Sequence, residues 1–170
     1  MRVFVVGTGR CGSVTLSKAC KNIKNYSSSH ESKTSPNNQG VFGDLEYPEN
    51  HIEIDPRMSY HIFSLREKYK DGIFFHLLRE ESGCVRSLSK RKSLRNYSTF
   101  HYGWFDNDYD AAAKMYYENT TKMLKSVIPE SHTIVLENIE HDWVKFCKII
   151  KAECDQEKAL IQLKQKYNRS

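Results

Sequence analysis

No stretch of this 170-residue chain approaches the roughly 20 consecutive apolar residues that a membrane-crossing helix needs. The opening "MRVFVVG" is too short for the apolar core of a secretory signal and runs at once into glycine, so a soluble, cytoplasmic protein is expected. Paired cysteines are missing too. The five cysteines stand at 11, 20, 84, 147 and 154, an odd number with no C-x-x-C spacing. That argues against a disulfide framework and against a cysteine zinc site, and fits thiols in a reducing compartment. The seven histidines include no H-x-x-x-H pair. His51 and Glu53 have a chelating spacing, but a pair at a strand edge accounts for them better, and no metal site is expected. The net charge of +5 is mildly basic: it hints at an anionic ligand but is too weak to prove one.

What is present suits one compact domain over 1–170. A chain of this size buries roughly 70% of its unfolded surface, enough for a core without staples. "RVFVV" is a short β-branched and aromatic run that ends at Gly7, the mark of a buried parallel strand. A helix follows from Ser13, with Val14, Leu16, Ala19, Cys20 and Ile23 as its apolar positions. "NYSSSHES" reads as a weaker strand, "KTSPNNQGVFGD" as a loop and "HIEID" as a strand end. Pro56 opens a helix over "PRMSYHIFSLREKY". "GIFFHLL" is the clearest strand, followed by a helix over "EESGCVRSLSKRKSL". "AAAKMYYENTTKMLKSVI" reads as an amphipathic helix, "HTIVLENI" as a strand, "DWVKFCKII" as a helix and the tail from Cys154 to Tyr167 as helical. Four successive strand–helix units predict an α/β fold: a single three-layer domain, its central parallel sheet flanked by helices, of P-loop nucleotide-binding type. Ligands of such folds bind at the carboxyl ends of strands.

The loop after the first strand, "GTGRCGS", admits three readings. It satisfies G-x-G-x-x-G, and Glu31 stands about 20 residues on, as a dinucleotide fold requires. Yet Arg10 is awkward where bare backbone must meet a pyrophosphate. Gly7 and Gly12 have the separation of an NTP-binding P-loop, but Ser13 stands where its lysine should be. The third reading is a strand, then [R/K]-x-G-[S/T], then a helix. Backbone amides at the helix N-terminus, the Arg10 cation and the Ser13 and Thr15 hydroxyls then hold a terminal phosphate or phosphosulfate. A glycine turn that binds nothing would need neither the cation nor the hydroxyls.

A second motif follows "GIFFHLL". Arg79 ends that strand, and Ser87 lies eight residues later on the next helix. At a strand's carboxyl end, Arg79 would face the same crevice as the loop and form with Ser87 a separate phosphate clamp.

Together, "GTGRCGS" and "HLLREESGCVRS" resemble the sulfotransferase family, which uses 3′-phosphoadenosine-5′-phosphosulfate. The likeness extends over "SHES", "EIDPRMSY" and "IVLENI" and so spans most of the chain. It implies that Gly9, Arg10, Cys11, Gly12, Ser13, Val14 and Thr15 cradle the 5′-phosphosulfate, and that Arg79 and Ser87 bind the 3′-phosphate. Ser13 replaces the commoner Thr, and the glycine-rich loop near the C-terminus of the cytosolic members is not found. The basic residues Arg86, Lys90, Arg91, Lys92 and Arg95 can serve in its place or form a solvated helix face.

The implied reaction moves a sulfuryl group to an acceptor hydroxyl of a carbohydrate or small molecule. Arg10 would stabilise the leaving phosphate. Carbohydrate sulfotransferases place a glutamate in the region of His30 and Glu31, so Glu31 is the first choice for the base and His30 the second. Glu31 in a purely local ion pair is the plain alternative, and a buried ion pair is the plain account of Asp55 and Arg57. The aromatic stretch from Tyr97 to Phe105 reads as a packed flap or as an acceptor platform. Two other classes stay open: a P-loop kinase, with Asp55 as its acid, and a non-catalytic anion or nucleic-acid binder. No nucleic-acid or membrane partner is expected on the leading reading.

Overall fold

The structure, a computed structural model, describes residues 1–33, 45–90, 108–165 and 167. Five strands form one sheet: β1 (Arg2–Gly7), β2 (Ser27–His30), β3 (His51–Ile54), β4 (Ile73–Leu78) and β5 (Thr133–Val135). Their order is β2-β3-β1-β4-β5, and every pairing is parallel. The helices are α1 (Ser13–Cys20), α2 (Ile62–Lys68), α3 (Glu81–Ser89), α4 (Tyr109–Val127), α5 (Ile139–Ile150) and α6 (Gln156–Lys164).

Side chains alternate across a strand, so the apolar run of β1 serves two cores at once. Val3 and Val5 pack with Leu16, Trp143, Phe146, Ile150 and Leu163 from α1, α5 and α6. Phe4 and Val6 pack on the other face with Met58, Ile62, Leu65 and Leu124. Helices therefore cover both faces of the sheet, as the alternating pattern predicts. Among the described residues, no helix is long and apolar enough to cross a membrane.

Three elements differ from the expectation. His51–Ile54 is a full strand between β2 and β1, not a strand end, so the sheet gains a fifth member. The segment after Pro56 starts as a 3₁₀ turn (Pro56–His61) before α2. There the Asp55 carboxylate accepts from the Arg57 amide at 2.9 Å. Ser59 Oγ donates to Gly7 O at 2.7 Å and accepts from Gly7 N at 3.0 Å, tying the turn to the end of β1. The strand read over "HTIVLENI" stops at Val135, because the Val135 amide donates to Asp142 Oδ2 of α5 at 2.8 Å.

His76 of β4 is 1% exposed, and neither ring nitrogen has a hydrogen-bond partner among the described residues. Burial, aided by the Lys125 charge, pulls its pKa from 6.5 down to about 4. The unfolded chain therefore takes this proton first. The cost is absent above pH 6.5 and grows as pH falls toward 4. Between pH 7.5 and pH 5 it amounts to about 2 kcal/mol. Urea unfolding of His76→Leu should lack this acid-side loss. Parallel stability-against-pH curves for the two proteins would show that the ring takes a proton equally well when folded.

Candidate functional site

A cleft of about 1320 Å³ opens at the carboxyl edge of the sheet. It is lined by the loop after β1, the ends of β2 and β4, the turn at Pro56 and Arg57, α3, the start of α5 and the end of α6. All the expected site residues except Cys11 line it: Gly9, Arg10, Gly12, Ser13, Val14, Thr15, His30, Glu31, Arg79 and Ser87.

The loop reaches this shape through left-handed backbone. Gly9 has φ +73°, Arg10 +55° and Gly12 +95°. A non-glycine residue in that region stores strain of the kind found at ligand clamps. Gly12 is the N-cap of α1 and gives no side-chain cap. The first intrahelical bond runs from Leu16 N to Gly12 O at 3.0 Å, so the amides of Ser13, Val14 and Thr15 have no helical acceptor. An uncapped helix N-terminus beside a cleft is a site for negative charge. Cys11 departs from the expected set in one respect: its side chain is turned into the core beneath the loop. Burial pushes its thiol up to about 12, so it is not a reactive group here.

The two expected clamps are joined. Arg10 Nε donates to Ser87 Oγ at 2.9 Å, and Arg79 Nη1 donates to Arg10 O at 3.1 Å. The Arg79 backbone is fixed in turn by Tyr117, whose hydroxyl donates to Arg79 O at 2.8 Å. Ser87 is thus held by the loop arginine, and Arg79 by the loop backbone. Cys84 braces the loop from below, with its Sγ 3.4 Å from Gly9 O and 3.3 Å from Thr8 Oγ1.

On the β2 side, His30 Nε2 lies 3.0 Å from Ser13 Oγ. Burial lowers the His30 pKa, with Arg57 acting the same way and the Glu31 and Glu53 carboxylates opposing. Glu31 is left-handed at φ +51°, and its carboxylate lies 3.2 Å from Arg57 Nη2. The local ion pair considered for Glu31 is therefore present, with both partners on the cleft wall. Asp55 is fully buried and caps the 3₁₀ turn; it does not line the cleft.

Six cations line the cleft against three carboxylates. Each carboxylate has a cationic neighbour: Glu31 with Arg57 at 3.2 Å, Glu137 with Arg79 at 4.0 Å and Glu140 with Lys164 at 3.5 Å. The excess positive charge suits an anion. Arg86 and Lys90 line the cleft, whereas Arg91, Lys92, Arg95, His101 and the whole stretch 97–105 lie outside the described residues. Among the described residues, no group of three or more His, Cys, Asp or Glu is placed to hold a metal ion.

Sequence reasoning missed the wall from Leu136 to His141 and the one at Leu163, Lys164, Gln165 and Tyr167. "IVLENI" carried the only hint, and it was read as strand. Leu136 matters most: a Cβ on Gly12 would stand 2.4 Å from its Cδ1. No protein-family model matches the chain, and no curated protein matches its sequence.

Proposed function

We propose that the chain is a sulfotransferase that moves a sulfuryl group from 3′-phosphoadenosine-5′-phosphosulfate to an acceptor hydroxyl of a carbohydrate or small molecule. One observation carries the reading. An uncapped helix N-terminus, two hydroxyls and two interlocked arginines converge on one positively charged cleft. A nucleotide with a phosphosulfate at one end and a phosphate nearby presents the matching anions. The loop amides, Ser13 and Thr15 would hold the 5′ end, and Arg79 and Ser87 the 3′-phosphate. Ligand clefts commonly measure about 300–1,000 Å³, so one of about 1320 Å³ leaves space for an acceptor beside the donor. The five cysteines, all free thiols, suit a cytoplasmic setting.

The donor, when bound, supplies the sulfuryl group. The chain's own work is positioning and charge. Arg10 would stabilise the charge that grows on the leaving phosphate as the S–O bond breaks. Glu31 takes the proton that the acceptor hydroxyl loses as its oxygen bonds to sulfur. The products are a sulfate ester and adenosine 3′,5′-bisphosphate. The kinase reading draws less support, because Asp55 is spent on a cap outside the cleft.

The test is thermal shift with adenosine 3′,5′-bisphosphate, ATP with magnesium, NAD and single-stranded RNA. Selective stabilisation by the first supports the reading. Stabilisation by ATP with magnesium alone turns it to the kinase. Arg79→Ala should then weaken adenosine 3′,5′-bisphosphate by about 1.5–3 kcal/mol and Ser87→Ala by about 1 kcal/mol. Both should discriminate less against adenosine 5′-phosphate. Equal losses for the two nucleotides would show that this clamp does not read the 3′-phosphate.

A further inference from the structure

His51 and Glu53 have no part in the chemistry above, yet both are buried, at 6% and 1% exposure. They stand two apart on β3 and so share one face of the sheet. The Glu53 carboxylate accepts from the Ser32 amide at 2.9 Å and from the Ser32 hydroxyl at 2.6 Å. His51 Nε2 lies 3.2 Å from the same carboxylate, and His51 Nδ1 lies 2.8 Å from Ser27 Oγ. Tyr47 stacks on the His51 ring, with centroids 5.9 Å apart. A buried carboxylate is costly to desolvate unless donors surround it, and here they do.

What this network holds is the end of β2. Ser32 follows Glu31, whose backbone is left-handed at φ +51° and whose amide donates to Ile54 O at 3.2 Å. Left-handed backbone at a glutamate persists only where its surroundings over-determine it. Immediately before the clamped serine, the His30 ring meets Ser13 at 3.0 Å and the Glu31 carboxylate meets Arg57 at 3.2 Å. Both donors of Ser32 end on one carboxylate, so the turn that presents His30 and Glu31 to the cleft is pinned from inside the sheet.

We propose that Glu53 is a positioning residue: by accepting both donors of Ser32 it fixes the left-handed turn at Glu31, and so sets where His30 and Glu31 stand at the cleft. His51 adds a third contact to that carboxylate, at the oxygen that also takes the Ser32 hydroxyl. This assignment rests on the proposed function for the work it gives His30 and Glu31. Its test needs no donor, so failure of the sulfuryl-transfer reading leaves it intact.

The test is a double-mutant cycle read on the titration of the His30 ring by NMR in the full chain. The charged groups facing that ring are Glu31, Glu53 and Arg57, and Ser13 is its hydrogen-bond partner. Ser13→Ala should displace the His30 midpoint in the otherwise native protein. In a Glu53→Gln background, the same Ser13→Ala change should displace it by less than half as much, because the ring no longer sits on Ser13. Ser32→Ala, which keeps the Glu53 charge, should reduce the Ser13 effect in the same direction. A Glu53 that merely glues β2 to β3 predicts a lower melting temperature and an undiminished Ser13 effect; that result overturns the proposal, as does a Ser13→Ala change without effect in the native background. Should Glu53→Gln fail to fold, the Ser32→Ala background decides alone on the same terms.

Discussion

Gly12→Val is expected to lower the affinity for adenosine 3′,5′-bisphosphate by at least about 10²-fold. Gly12 has φ +95° and ψ 17°, a left-handed conformation. It costs an ordinary L residue about 1–2 kcal/mol, and a β-branched residue fits it worst. The new Cβ would also meet Leu136 Cδ1 at 2.4 Å. Leu136 can swing away, so crowding is the smaller term and backbone strain the larger. Relief of that strain turns the peptide that enters α1 and re-aims the amides of Ser13, Val14 and Thr15. Those amides carry the proposed binding. Gly9→Ala is the control: its φ is +73°, but among the described residues no heavy atom beyond its chain neighbours lies within 4 Å of the added Cβ. It should lose about tenfold or less, from backbone strain alone. Calorimetry on both variants, with unfolding curves to correct for stability, separates the two. Native affinity in Gly12→Val would move the anion site away from this loop.

The same residues show how far the sequence could be read. Glycines at 7, 9 and 12 after a β-branched run imply strand, turn and helix, and that is what forms. The parallel sheet follows from the alternation of strands and helices, because such crossovers leave few other arrangements. β3 was underread because His51 and Glu53 look like surface residues. Their partners are Ser27 of β2 and Ser32 just after it, reaching across the strand pair, which no local pattern encodes. The end of β5 was overread for a similar reason: Asp142, seven residues on, takes the Val135 amide out of the ladder. At the site, the loop and the Arg79–Ser87 spacing were legible as motifs. The bond from Arg10 to Ser87 was not, since it joins positions 77 apart. Nor was the pairing of His30 with Ser13, which turns a candidate base toward the loop.

That pairing shapes the prediction for the base. Glu31→Gln keeps the size of the side chain and an oxygen for Arg57, but removes the proton acceptor. Folding and adenosine 3′,5′-bisphosphate binding should stay near normal. Sulfuryl transfer, once an acceptor is found among sugar, phenol and lipid hydroxyls, should fall at least ~10²-fold. The Glu31 carboxylate is held toward the cleft by Arg57 at 3.2 Å, whereas the His30 ring is already engaged by Ser13 at 3.0 Å. His30→Gln should therefore cost donor affinity more than turnover, because Ser13, proposed to hold the 5′-phosphate, loses its partner. The split between KM and kcat distinguishes the roles: a lost base lowers kcat with the donor's affinity kept, and a lost orienting group raises KM. An active Glu31→Gln beside a dead His30→Gln would reverse the assignment. Two active variants would move the base to His101, which lies outside the described residues, or to Asp55. Asp55 is a poor substitute, since it is fully buried and its carboxylate already accepts the Arg57 amide.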